Sequence, residues 1–183
     1  HEKTQSDHQG MSHLVLLARN QTGYQNLCKL ATAASVQGFY HKPRIDKQIL
    51  KAHAEGLIGL SACIKGEIPI RILQGRQDLA DEAAAFYADV FGPDNFYLEI
   101  QHNGMDDQVT VNQALIDMGQ RLSIPLVATN DCHYLNAGDE KAHEVLLCIQ
   151  TGKTLNDEDR MRFGNGELFF KSGEEMASAF GDY

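Results

Sequence analysis

No low-complexity tract and no membrane-length apolar run interrupts the 183 residues. The longest apolar stretch, around Gly56 to Ile64, is far shorter than the ~20 residues a bilayer span needs. The start, HEKTQSDHQG, has no apolar segment of the signal-peptide kind and no initiator Met, so it reads as a loop entered in mid-protein. The end, KSGEEMASAFGDY, stops just after a helical pattern, and the expectation is an excerpt of a longer chain. A basic stripe is also missing. The net charge is −9, whereas affinity for duplex nucleic acid comes largely from phosphate neutralisation, so this segment by itself predicts weak DNA binding. The four cysteines, Cys28, Cys63, Cys132 and Cys148, form neither a CxxC pair nor a disulfide framework, which points to reduced thiols in a cytoplasmic compartment. Neither GxGxxG nor GxxxxGK[ST] occurs, and there is no GxSxG nucleophile elbow.

What is present is an alternation of strand and helix patterns. HLVLLA (13–18), GLIGLSAC (56–63), NFYLEIQ (95–101) and PLVATN (125–130) read as strands. Helical patterns separate them. Asn20 and Thr22 supply start chemistry for the first, whose Leu27, Leu30, Ala31 and Ala34 share one face. Asp46 is a candidate cap for KQILKAHAE. QDLADEAAAFYADVF is amphipathic, with Leu79, Ala83, Phe86 and Tyr87 directed inward. ELFFKS near the end predicts a short strand, and Ser172 with Glu175 has capping-box spacing before a last helix. Four strand-then-helix units predict an α/β fold with a parallel sheet, a barrel or part of one. In a parallel barrel the active-site groups sit at the C-terminal strand ends.

That rule selects Cys63, His102, Asp131 and His133. Residues i and i+2 of an extended chain point the same way, so Asp131 and His133 could face one ion while Cys132 points elsewhere. Imidazole, thiolate and carboxylate together suit zinc, and a more carboxylate-rich shell would accept manganese or magnesium. Each residue also has a structural reading. Asp131 could be a helix cap beside a surface His133, Cys63 a small buried hydrophobe, and His102 the opening of the Asn103-Gly104 turn. His13 begins a strand, the wrong end for a parallel-barrel site. His41, His53 and His143 read as solvated or capping groups, while His1 and His8 support no claim. The acid groups Asp106-Asp107, Glu174-Glu175 and Asp157-Glu158-Asp159 read as helix starts or solvated turns.

The strings RNQTGYQNL, KPRID, LIGLSAC, FYLEIQHNG, ATNDCHY and TGKTLNDEDRMRF, in this order and spacing, closely resemble the PHP (polymerase and histidinol phosphatase) domain of bacterial DNA polymerase III alpha subunits. The likeness runs from about Ser12 to Phe180. It implies a distorted, seven-stranded barrel of the TIM type with a cluster of metal ions. Its earlier HxH and TDH motifs are absent from these residues, so 1–183 is expected to be the later part of that domain, with about 155–183 leading towards the polymerase region. The resemblance implies His13, Cys63, Asp131 and His133 as metal ligands; His102 is a rival to His13 by strand-end geometry alone, since the family pattern around EIQ fixes no His at that spacing. It further implies metal-dependent 3′–5′ exonuclease chemistry, DNA and other replisome subunits as partners of the whole protein, and no membrane. A non-catalytic, metal-stabilised scaffold that docks a proofreading subunit and a stand-alone phosphoesterase are the alternatives.

Overall fold

The computed structural model describes residues 10–163 and 166–181. The expectations placed on His1, His8 and the last two residues lie outside them. The order is β1 (Val15–Ala18), α1 (Gln21–Val36), α2 (Lys47–Ala52), β2 (Leu57–Leu60), α3 (Glu67–Leu73), α4 (Gln77–Phe91), β3 (Phe96–Gln101), α5 (Asp106–Leu122), β4 (Leu126–Thr129), α6 (Glu140–Thr151) and α7 (Gly173–Ala179). The four strands form one sheet in the order β1-β2-β3-β4. The α/β alternation is as expected, and so are the caps. The Asn20 side chain accepts from the Gly23 N–H, that of Asp46 from Ile49, and Ser172 with Glu175 forms a reciprocal capping box. ELFFKS forms no strand; it contributes one isolated bridge, Tyr134 to Phe169.

The parallel sheet is not what forms. β2 and β3 are parallel, but β1 runs antiparallel to β2, with Val15 opposite Leu60 and Ala18 opposite Leu57. The cause is where the α1–α2 excursion returns the chain. The Arg19 N–H donates to the Gly56 carbonyl at 2.9 Å, and the Asn26 amide to the Glu55 carbonyl at 2.9 Å. Gly23 lies so close to Gly56 that a Cβ there would collide with its carbonyl oxygen, and Gly56 itself has φ +75°. The start of β2 is thus pinned to the end of β1, which makes the pair antiparallel.

Two compact units are distinguished along the chain. The first comprises His1–Glu99 with Ala114–Val127, the second Ile100–Gln113 with Ala128–Tyr183. The first is built on apolar packing. Leu57, Ile68, Leu98, Leu115 and Met118 are almost fully buried, and Phe96 stacks between Tyr87 and Phe91. Two inward faces differ from the pattern expected. α1 buries Gly23, Asn26, Leu30 and Ala34 and leaves Ala31 exposed, because the approach to Gly56 rotates the helix toward its glycine and asparagine. α4 buries Ala80, Ala83, Ala84, Tyr87 and Phe91, with Leu79 and Phe86 only part-buried. The small alanines let the helix sit close to its neighbours. β4 is alternately exposed, as suits the last strand in the order.

Candidate functional site

β2 ends at Leu60, and a tight turn carries the chain to Cys63. Ser61 roots that turn: its N–H donates to the Tyr97 carbonyl at 3.1 Å, and its hydroxyl accepts from the Glu99 N–H at 2.8 Å. Ala62 then adopts φ +64°, an uncommon conformation for a residue with a Cβ, and Gly66 closes the turn by donating to the Cys63 carbonyl at 2.7 Å. The His13 N–H donates to the Lys65 carbonyl at 2.9 Å, and His13 bridges to Gly66. The result is a pair, with Cys63 Sγ 3.6 Å from His13 Nδ1.

The strand-end rule disfavoured His13 because it assumed a parallel β1. In the antiparallel pair the N-terminal end of β1 lies beside the C-terminal end of β2, so the start of β1 is the right place for a group meant to join Cys63.

The second pair lies wholly in the second unit. Asp131 Oδ1 is 3.7 Å from His133 Nε2, and both side chains are about one-third exposed, at 37% and 31%. The alternation argument anticipated this pairing by the wrong route. β4 stops at Thr129 and Asp131 has φ +48°, so the backbone there turns and is not extended. What holds the turn is a zipper against residues 167–171. The buried Asn130 amide donates to the Glu167 carbonyl at 2.9 Å and to that of Phe169 at 2.6 Å, and its oxygen accepts from Lys171 Nζ at 3.2 Å. The His133 N–H donates to the Leu168 carbonyl at 2.8 Å. Cys132 points away, its thiol 3.5 Å from the Phe169 carbonyl.

Both pairs can be tested against metal geometry. With Zn–S near 2.3 Å and Zn–N near 2.0–2.1 Å, two donors on one tetrahedral ion stand about 3.5 Å apart, and a nitrogen and a carboxylate oxygen about 3.4 Å apart. The observed 3.6 Å and 3.7 Å match the first value and slightly exceed the second. Each pair therefore suits two corners of a divalent-metal shell. Among the described residues no group of three or more His, Cys, Asp or Glu side chains is close enough to hold an ion by itself.

The other expected groups fall as follows. His102 follows β3 and meets the Phe180 ring edge-on at 6.2 Å. Asp106 and Asp107 lie in the first turn of α5, Asp157 holds a turn by accepting from the Thr154 N–H and hydroxyl, and Asp159 pairs with Lys153. His143 corrects its reading as a solvated or capping group. It is part-buried on α6 with its ring 5.4 Å from that of His133 and 5.5 Å from those of Tyr134 and Phe163. Burial, then the neighbouring His133, hold its pKa below the usual histidine value, against an opposing pull from Glu144. No local signal in the sequence marks Phe163. Helical spacing places His143 on a face but cannot say that this face meets a loop ten residues earlier.

Among the described residues no helix is long and apolar enough to cross a membrane. Three relatives match most of the chain, all described as DNA polymerase III subunit alpha. That of Thermus aquaticus is 50% identical over 167 residues, covering 91% of this chain and 14% of the relative. That of Treponema pallidum is 46% identical over 171 residues, 93% and 15%. That of Borreliella burgdorferi is 45% identical over 181 residues, 98% and 16%. The chain thus spans about one-sixth or less of the length of these relatives. PHP domains are generally metal-dependent. The PHP domain profile matches residues 2–103, a span that includes His13 and Cys63 and more than half of the sequence, and the chain belongs to the PHP domain family.

Proposed function

We propose that residues 1–183 are the later part of the PHP domain of a bacterial DNA polymerase III alpha subunit, with about 155–183 leading towards the polymerase region. In this reading the mixed sheet is part of a distorted, seven-stranded barrel. Similarity to three alpha subunits that continues well past residue 103 supports it. The whole protein is then a DNA-directed DNA polymerase of the bacterial cytoplasm, working on DNA with other replisome subunits. Polymerisation itself lies outside these residues.

His13, Cys63, Asp131 and His133 are the proposed metal ligands. The single observation that carries this is the Cys63–His13 separation of 3.6 Å, the spacing that a shared tetrahedral ion imposes. Thiolate, imidazole and carboxylate favour zinc, with manganese or magnesium as alternatives. When bound, such a metal lowers the pKa of its water and neutralises charge on a phosphodiester, the chemistry of a 3′–5′ exonuclease. The chain's own residues do the rest. Cys63 binds as thiolate and the two histidines as neutral imidazoles, so protons compete with metal and occupancy falls with pH. Asp131 supplies a carboxylate oxygen beside His133 Nε2, 3.7 Å away.

The test is metal content and 3′–5′ exonuclease rate of the full-length protein carrying Asp131→Asn or Cys63→Ser. Both measurements should fall. Unchanged metal content in both variants overturns the ligand set. A second reading is a metal-stabilised scaffold that docks a proofreading subunit. Metal stripping that lowers the melting temperature without changing nuclease rate selects it. A stand-alone phosphoesterase fits less well, since the similarity runs on through the segment beyond Leu155.

A further inference from the structure

Three rings meet at His133 in the second unit. Phe163 lies against the imidazole with centroids 4.6 Å apart and planes at 44°, and His143 approaches at 5.4 Å and 67°. His143 and Phe163 also touch each other at 5.5 Å, which closes the triangle. The three residues come from three places: the turn after β4, the first half of α6, and the segment that follows α6.

The segment carrying Phe163 is itself anchored. Arg160 Nη2 donates to Glu144 Oε2 at 3.1 Å, and the arginine side chain is only 9% exposed. Glu144 is the residue after His143. Two consecutive α6 side chains therefore do complementary work: one packs on the His133 ring, and the other ties down the segment that delivers Phe163. The other face of the turn is held by backbone, through His133 N–H to Leu168 and Phe170 N–H to the Tyr134 carbonyl at 3.1 Å.

An imidazole rotates about two bonds, and only a narrow range of those rotations aims Nε2 beside Asp131 Oδ1. Fixing such a ring before an ion arrives removes an entropy cost from binding. In metal sites, partners that orient a ligand typically change affinity by about 10- to 100-fold when removed. We propose that His143 and Phe163 are positioning residues for His133, holding its imidazole in the orientation that presents Nε2 next to Asp131. This rests on the reading of Asp131 and His133 as metal ligands. Arg160 and Glu144 act one step further out, by holding Phe163 in place.

The experiment uses the full-length protein and two metal probes. Zinc retention is measured against a graded chelator, and the visible absorption spectrum is recorded after cobalt substitution. His143→Ala and the milder Phe163→Leu should each weaken zinc retention, by about 10- to 100-fold for the first, and shift the cobalt bands. His143→Phe keeps a ring in the same place and should restore both readouts. Asp131→Asn is the control on the underlying reading. If Asp131→Asn leaves zinc retention unchanged, the ligand reading fails and the positioning idea falls with it. If Asp131→Asn weakens retention while His143→Ala and Phe163→Leu keep wild-type retention and spectrum, the ligand reading stands and the positioning idea is overturned. If His143→Phe behaves like His143→Ala, ring packing is overturned as the cause. Circular dichroism confirms that each variant is folded, and Phe163→Leu carries the test should His143→Ala fail to fold.

Discussion

The first unit buries Leu57, Ile68, Leu98, Leu115 and Met118 almost completely, whereas the second buries Gln101, Asn103, Gln108 and Asn112 to the same degree. Among the described residues, the buried apolar side chains of the second unit are Ile100, Val111, Leu147, Cys148 and Leu168, and that unit leaves Leu135, Leu146, Ile149 and Phe170 well exposed. Apolar packing is non-directional and holds a fold by area removed from water. A buried amide is directional and contributes only if its partners stand at the right angle and distance. Asn112 illustrates this. Its oxygen accepts from the Gln101 N–H at 3.2 Å and from Gln108 Nε2 at 3.0 Å, while its amide donates to the Gln101 carbonyl at 2.7 Å. Gln101 Nε2 in turn donates to Thr129 Oγ1 at 3.2 Å, two residues before Asp131. The unit with less apolar core thus uses oriented hydrogen bonds to hold the root of a site turn in place.

The contrast can be broken by substitution, beginning where the effect is largest. Leu98→Ala or Met118→Ala removes a fully buried side chain from the first unit and should cost about 2–5 kcal/mol in denaturant unfolding. A loss near zero would mean that the first unit is not held by its apolar core. Asn112→Ala removes the side chain that bonds the buried Gln101 N–H and carbonyl and should cost about 1–3 kcal/mol. An Asn112→Leu variant as stable as wild type would show the amide network to be dispensable and erase the distinction between the units. Native-state hydrogen exchange sharpens the same comparison: amides of β2 and of residues 96–99 of β3, in the first unit, should exchange more slowly than those of α6 and α7.

Tyr87→Phe probes a polar contact inside the apolar unit. The phenol donates to Glu67 Oε2 at 2.7 Å, and burial, with Glu67 beside it, raises its pKa well above the usual tyrosine value. Lys47 still pairs with Glu67 at 2.8 Å in the variant, so the loss should be about 1 kcal/mol. A raised folded pKa means that the contribution is whole below the unfolded value, about 10, and is lost as pH rises above it. The wild type should therefore lose stability above pH 10 in excess of the variant. The smallest effect is expected at Arg121→Ala. Arg121 holds the Asp81 carboxyl below its usual range through hydrogen bonds at 2.7 and 3.0 Å. A depressed folded pKa gives stability above the unfolded value of about 3.9 that disappears as pH falls through the folded one. Wild type and variant should converge in acid and differ slightly at neutral pH.

Local chemistry was readable from the residues. Asn20, Asp46 and Ser172 announce their helices because a cap needs only an oxygen and an N–H two or three residues away, and Cys63, Asp131 and His133 stood out because donors at strand ends are chemically conspicuous. The place of His13 beside Cys63 was not legible locally, since the assumed strand direction argued against it and only the reversed β1 brings the two together. His143 and Phe163 carried no local signal at all, since the ring they pack on is contributed by another part of the chain.

The sequence by itself determined the α/β alternation, the capped helices, the family and the donor types, because these depend on near neighbours and on residue chemistry. Only the tertiary structure decided the reversed β1, the pairing of His13 with Cys63, the left-handed turn at Asp131 and the rings around His133. Each of these depends on where a returning chain segment is pinned, as at Gly23 and Gly56, and that contact spans more than thirty residues of sequence.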